Sequence, residues 1–432
     1  MSHSISRSRS RHNRNGSRRE ADSYSLSPRE SRSRRRHSYH SSHHGYSSSY
    51  KHSHSKREHR HTHHHRHRAH SRRHGTTSYS HKNSHYSHND DSEKDDSIGH
   101  FLGGEGDIIG GKYEIVKELG TGTFARAFEA KNLETKEYCA VKVVRAIPRY
   151  CRHAKIEASI MRDIAEKDPQ HKSHCSYLMD EFEYKGHYCM VMPLLGDSMY
   201  MVLKDNEYKP FPMSLLRDIL RELFEALQFL HHMGLTHTDL KLENVLFATQ
   251  EKEVMMDNDL HQRISVPNTR HIAVIDYGSA TYSDERRKGT INTRQYRAPE
   301  VLLGMEWDEE SDIWGVACIA MELFTGDLLF QTHGDALHFA LIEKIVGKVP
   351  ERMIRALAPG RRQLFDEKGH FLGKELHREE RERVREQRTL KEMVGKNYPN
   401  FLDLMESCLI IAPSRRITAA EALMHPFFSG KD

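Results

Sequence analysis

The chain has 432 residues and a formal net charge of +5, divided unevenly: residues 1–100 hold 21 Lys/Arg against 9 Asp/Glu, and the remainder hold 45 against 52. Few aliphatic residues stand in the first hundred, so burial there does not offset an ordering cost of about 1–2 kcal/mol per residue and a packed core is excluded. The six cysteines form no C-x-x-C pair, and no apolar run makes a secretory signal or reaches transmembrane length; a soluble intracellular protein in a reducing compartment is expected, not a disulfide scaffold or a membrane span.

Residues 1–100 read as a disordered Ser/Arg/His-rich tail. Ser-Arg alternation runs through Ser6-Arg7-Ser8-Arg9-Ser10-Arg11 and again through Ser31-Arg32-Ser33-Arg34-Arg35-Arg36. Each serine there has an arginine beside it, so phosphorylation turns a polycation into a zwitterion and weakens attraction for nucleic acid. The tail is therefore expected to serve as a nuclear address and phosphorylation substrate, with RNA association as a further role. Twenty of the 34 histidines fall there, densest at His59-Arg60-His61-Thr62-His63-His64-His65-Arg66-His67. No cysteine or carboxylate completes a defined metal site among them. The acidic run Asp90-Asp91-Ser92-Glu93-Lys94-Asp95-Asp96 closes the tail.

From Tyr113-Glu114-Ile115-Val116 the alternation is that of a strand, and it runs into Leu119-Gly120-Thr121-Gly122-Thr123-Phe124-Ala125-Arg126-Ala127. A glycine-rich turn between strands lets backbone N–H groups approach phosphates that a Cβ would hold off. Ala140-Val141-Lys142 follows on the next predicted strand and supplies a lysine for the same phosphates. A helix then carries Glu157, and the strand His187-Tyr188-Cys189-Met190-Val191-Met192 leads into Pro193-Leu194-Leu195. Further on, Leu216, Ile219, Leu220, Leu223, Ala226, Leu227 and Leu230 recur at helical spacing, forming a core-facing stripe that ends at Gly234.

That helix delivers the chain to His237-Thr238-Asp239-Leu240-Lys241-Leu242-Glu243-Asn244, with Asp276-Tyr277-Gly278 after a spacer. An aspartate to accept a hydroxyl proton, a lysine to balance phosphate charge and an asparagine with a second aspartate to hold a metal ion are the groups phosphoryl transfer needs. Ala298-Pro299-Glu300 closes the segment from Ser279 to Arg297. The charged run from about Arg361 to Arg388 reads as a solvated insertion helix.

Together these strings resemble the protein-kinase catalytic core. His-Thr-Asp-Leu-Lys, Gly278-Ser279-Ala280-Thr281-Tyr282 and Thr293-Arg294-Gln295-Tyr296-Arg297 look like the LAMMER, or Clk-type, dual-specificity branch. Its naming motif survives in eroded form as Leu337-His338-Phe339-Ala340-Leu341-Ile342-Glu343-Lys344-Ile345-Val346, which makes a divergent member. The resemblance implies an α+β, bilobal kinase fold. A small β-rich lobe of about 110–193 and a larger helical lobe of about 196–430 would follow the tail. It implies ATP and Mg²⁺. Asp239 and Lys241 would be catalytic, and Asn244 and Asp276 would take the metal. Nucleotide contacts would come from Leu119, Gly120, Thr121, Gly122, Thr123, Phe124, Ala127, Ala140, Lys142, Glu157, Met192 and Leu194. Glu157 would latch Lys142, Glu300 would pair with Arg416, and Asp312 would brace the catalytic loop. The stretch from about 248 to 271 resembles the extra hairpin of one kinase branch.

Ala125 and Ala127 replace the family's third glycine and its adenine-covering valine, which predicts weaker ATP affinity. Thr238 stands where most kinases carry the arginine that grips an activation-loop phosphate, so activity without an upstream kinase is expected. Arg/Ser-rich proteins such as splicing factors are the implied substrates, on Ser/Thr with some Tyr, for a monomeric nuclear enzyme. Glu243 is placed to meet a substrate arginine. A pseudokinase scaffold, and an RNA-associated adaptor acting through the tail, are the alternatives.

Overall fold

The computed structural model describes residues 99–257, 262–285 and 287–430. The expectations for the tail, with its Ser-Arg runs, histidine tract and acidic boundary, lie outside these residues apart from Gly99 and His100.

The first part is an antiparallel sheet of six strands in the order β1-β2-β3-β4-β6-β5. Its strands are β1 (Ile108–Ile109), β2 (Tyr113–Thr121), β3 (Ala125–Asn132), β4 (Tyr138–Val144), β5 (Asp180–Tyr184) and β6 (His187–Pro193). In β4 the period of two sends Cys139, Val141 and Val143 into a small core with Phe101, Ile115, Phe128 and Val191. Ala140 and Lys142 therefore share the opposite face. Register sets Ala127 against Lys142 on one side, and Met190 against Lys142 and Met192 against Ala140 on the other. One face of the sheet thus carries four residues picked out in the sequence.

Between β4 and β5 runs helix α1 (Pro148–Lys167), started by a proline at its first turn. Ala154, Glu157, Ala158, Met161 and Ile164 are its buried stripe, so Glu157 is turned inward with the apolar residues rather than out to water.

The second part is helical and holds the largest core. Helix α2 (Met199–Asp205) comes first, and helix α3 (Met213–His232) buries Leu215, Leu216, Ile219, Leu220, Leu223, Phe224, Ala226, Leu227 and Leu230. Gly234, at φ +71°, turns the chain out of α3 toward β7 (Leu235–Thr236). Strand β8 (Val245–Phe247) pairs with β11 (Ile272–Val274), and between them β9 (Lys252–Asp257) and β10 (Gln262–Pro267) form a hairpin. Asn206 fastens that hairpin: its amide donates to Ser265 O and accepts from Ser265 N, both at 2.7 Å.

Strand β12 (Thr281–Tyr282) pairs back on β7. Helices α4 (Pro299–Leu302), α5 (Glu310–Thr325) and α6 (Asp335–Ile345) follow. Helix α5 is buried from Ser311 to Leu323 and runs through the core as its central rod. It stops at Gly326, φ +80°, where a Cβ would stand 2.0 Å from Tyr208 O.

The charged run differs from the single insertion helix expected. Arg378–Glu386 is a solvated helix of that kind, with no buried residue, while Arg361 and Arg362 end a separate short helix, Pro359–Arg362. Upstream, Phe365 and Phe371 pair across an isolated bridge and pack on Phe339 of α6. Gly369 and Gly373 adopt positive φ there. Two aromatic rings taken into the core and two left-handed glycines outweigh the charge pattern that favoured a continuous helix.

Candidate active site

Two groups of charged side chains face each other across the sequence. In the first, Lys142 Nζ lies 2.7 and 2.9 Å from the two oxygens of Glu157 and 3.7 Å from Asp276 Oδ1. Burial alone would lower the Lys142 pKa, but the Glu157 and Asp276 carboxylates outweigh it and hold the amine above its ordinary value. The lysine is therefore a cation, clamped between a helix and the start of the loop after β11. A Cβ built on Gly278 would stand 3.7 Å from Glu157 Oε2, so the loop also packs against α1.

The second group is in the loop between β7 and β8. Lys241 Nζ donates to Asp239 Oδ2 at 2.6 Å, and Asn244 Nδ2 donates to Asp239 O at 2.9 Å. Asp239 Oδ1 accepts both from the backbone N–H of Thr293 at 2.9 Å and from its hydroxyl at 2.8 Å. Thr293 also lies 3.3 Å from Lys241 Nζ. In the sequence Thr293 stands out only as the first residue of Thr293-Arg294-Gln295-Tyr296-Arg297. Its signal was a hydroxyl five residues ahead of Ala298-Pro299-Glu300, too small a cue to give a role.

Backbone and histidine contacts join the two groups. His237 Nδ1 accepts from Asp239 N at 3.2 Å, which fixes the neutral ring with its proton on Nε2, and that N–H donates to Ile275 O at 3.0 Å. Ile275 N in turn donates to Asn244 O at 3.0 Å. Asp276 is thereby registered against the loop that carries Asp239.

Asp312 on α5 supports this loop from beneath. Wholly buried, its carboxylate accepts from His237 N at 2.8 Å and Thr238 N at 3.0 Å, and lies 3.1 Å from His231 Nε2. Thr238 sits at φ +69° and Asp276 at φ +68°, both strained for residues with a Cβ. The Thr238 hydroxyl, in place of a guanidinium, donates to Ser279 O at 2.8 Å. Tyr277 is fully buried, which raises its phenol well above the ordinary range; it stays neutral and donates to Val274 O at 2.8 Å.

The glycine-rich turn between β2 and β3 closes through Gly122 N to Ala125 O at 2.9 Å. A Cβ added at Gly120 would meet nothing within 4 Å. Leu119 and Phe124 are exposed, and Phe124 stacks edge-on against Tyr150 of α1 at 5.0 Å. Met192 packs against both the helical core and the core beneath α1, while Leu194 is half-buried at the crossing between lobes. Of the residues named from the sequence, the charged ones converge.

Behind the site, Glu300 and Arg416 form the expected pair at 2.8 and 3.0 Å, both side chains fully excluded from solvent.

The family model for the protein kinase domain matches residues 113–428. The chain belongs to the protein kinase family, as a divergent member of its LAMMER, or Clk-type, branch. Among similar proteins, this kinase is 37% identical over 345 residues to the dual specificity protein kinase lkh1 of Schizosaccharomyces pombe, covering 79% of this chain and 50% of that one. It is 36% identical to the human dual specificity protein kinase CLK2, over 78% of this chain and 68% of that one. With the Arabidopsis thaliana serine/threonine-protein kinase AFC3 it shares 37% identity over 77% of this chain and 86% of that one. A solved crystal structure of a kinase domain matches it with a TM-score of 0.72 at 32% identity, covering 76% of this chain and 99% of that one.

Membership implies ATP, a divalent metal ion and protein substrates for this kinase. The donor set suits the metal. Asp276 offers a carboxylate, and Asn244, which spends its N–H on Asp239 O, has its amide oxygen as the remaining polar atom. Two hard oxygen donors, with no cluster of three or more His, Cys, Asp or Glu among the described residues, fit a small cation that takes its other ligands from water and phosphate. No helix among the described residues is long and apolar enough to cross a membrane.

Proposed function

We propose that this kinase transfers the γ-phosphoryl group of ATP to serine and threonine hydroxyls, and to some tyrosines, in Arg/Ser-rich proteins. A domain of about 110–430 would do the chemistry, and the tail of about 1–100 would serve as address and as a substrate in its own right. The observation that carries this reading is the Asp239 carboxylate, held by Thr293 and Lys241 and registered through His237 and Ile275 to Asp276.

Asp239 orients the acceptor hydroxyl and takes its proton. Lys241 balances charge on the phosphoryl group in flight, and Lys142, kept extended by Glu157, binds the phosphates behind it. Asn244 and Asp276 would hold Mg²⁺, which when bound neutralises phosphate charge and fixes the leaving group. Ala127, Ala140 and Met192 share the sheet face that would cover adenine, and the backbone at Leu194 would hydrogen-bond its edge. The missing methyls at Ala127 support weaker ATP affinity by about 1 kcal/mol.

Glu243 is exposed and next in sequence to Asn244, so an arginine near the acceptor would meet its carboxylate. Thr238 has no guanidinium to receive a loop phosphate, which supports activity in the unphosphorylated state. A monomeric nuclear enzyme acting on RNA-processing proteins, with tail-mediated RNA association, completes the reading.

The test is a transfer assay on an Arg-Ser peptide with the wild-type chain and Asp276→Asn. Transfer is expected only from the wild type. A nucleotide-induced thermal shift without transfer by the wild type would instead favour a pseudokinase scaffold.

A further inference from the structure

Tyr282 joins two elements on whose relative position the site depends. It lies in β12, six residues after Asp276, and its hydroxyl donates to Asp163 Oδ2 at 2.6 Å. Asp163 is on α1, six residues beyond Glu157. A hydrogen bond therefore runs from the activation segment, Ser279 to Arg297, to the helix that carries the partner of Lys142. Tyr282 is half-buried and its neighbours Ser283 and Asp284 are exposed, so a local opening of this two-residue strand is enough to free the phenol.

Among the described residues, the charges acting on the phenol are Asp163 and Glu285, both acidic. The unmodified hydroxyl suits that setting because it donates a proton to a carboxylate. A phosphate ester has no such proton and carries a charge of about −1.5 to −2.

We propose that Tyr282 is an inhibitory phosphorylation site of this kinase. The reaction uses the ATP the family already employs. The phenol oxygen forms a bond to the γ-phosphorus as the bond to the β-phosphate oxygen breaks; ADP leaves and the phenolic proton passes to a base. The product exchanges a hydrogen bond for repulsion between a phosphate, Asp163 and Glu285. Helix α1 moves away from the activation segment, Glu157 leaves Lys142, and the phosphate-binding lysine loses its alignment.

The proposal rests on the kinase reading and is tested so that the two separate. The full chain is prepared with phosphotyrosine genetically encoded at position 282, and its rate on an Arg-Ser peptide is compared with that of the same preparation after tyrosine phosphatase. The phosphorylated form should be slower by about tenfold or more, with recovery on dephosphorylation. In an Asp163→Asn background the same phosphate should cost less, because one of the opposed charges is gone. Thermal melting of each form verifies folding. Equal rates with and without the phosphate, or an undiminished loss in Asp163→Asn, overturn the proposal while the kinase reading stands. No transfer by the dephosphorylated chain overturns the kinase reading and this proposal with it.

Discussion

Replacing Asp312 by asparagine tests how the catalytic loop is held. The carboxylate accepts from two successive backbone N–H groups, at 2.8 and 3.0 Å, and from His231 at 3.1 Å, in a site with no solvent exposure. An asparagine keeps one acceptor oxygen and turns an NH₂ group toward the other N–H, donor against donor. One buried N–H left unpaired costs about 1–3 kcal/mol, and loss of charge assistance in the surviving bond adds about 1 kcal/mol. The sum, about 2–4 kcal/mol, is comparable to the strain of about 1–3 kcal/mol that a residue at positive φ such as Thr238 stores. The loop then relaxes and Asp239, next in sequence, moves off its Thr293 contact. Chemical denaturation should show the stability loss. Steady-state kinetics should show kcat lowered by about tenfold or more with KM for ATP little changed, because the Lys142–Glu157 pair lies on the other lobe. Wild-type stability and kcat in Asp312→Asn would refute the reasoning, and so would an effect confined to KM.

Glu300→Ala should destabilise the fold by about 3–5 kcal/mol, since Arg416 is left as a buried charge with only carbonyl partners; a loss under about 1 kcal/mol in denaturant titration would contradict this. Thr293→Val, which keeps shape and removes the hydroxyl bound to Asp239, should lower kcat by about three- to tenfold while the melting temperature stays close to wild type. Glu322 is pushed up to about 7, first by burial and then by the negative charges of Glu243 and Asp327, against the opposing hydrogen bond from Tyr296. Its folded pKa lies above the unfolded value, so the folded state holds the extra proton between about pH 4.5 and 7 and stability falls as pH rises through that window, by up to about 3 kcal/mol. Glu322→Gln should therefore gain melting temperature over wild type at pH 8 but not at pH 5, and a gap that fails to widen with pH would refute the assignment.

Much of this was legible in the sequence because it is written locally. Period-two alternation in β4 put Lys142 and Ala140 on one face, and the apolar stripe from Leu216 to Leu230 marked α3 as core. Gly234 ended that helix for the reason glycine usually does, its freedom at positive φ. The identity of Asp239, Lys241, Asn244 and Asp276 pointed to phosphoryl transfer because few other residue types supply those charges and oxygen donors.

Contacts between distant positions were another matter. Thr293 reaches Asp239 across 54 residues, Asn206 clamps Ser265 across 59, and Tyr282 meets Asp163 across 119. Nothing in the spacing of these residues encodes the pairings, since each depends on how packed helices and strands bring separate loops together. The expected single helix across 361–388 failed for the same reason: charge pattern is a property of the segment, whereas the seating of Phe365 and Phe371 against Phe339 exists only once α6 is in place. The amino acids alone determined which chemical groups were available and which short elements would form. Only the packed chain decided which of those groups touch, because side-chain contacts over long separations are set by the shape of the core.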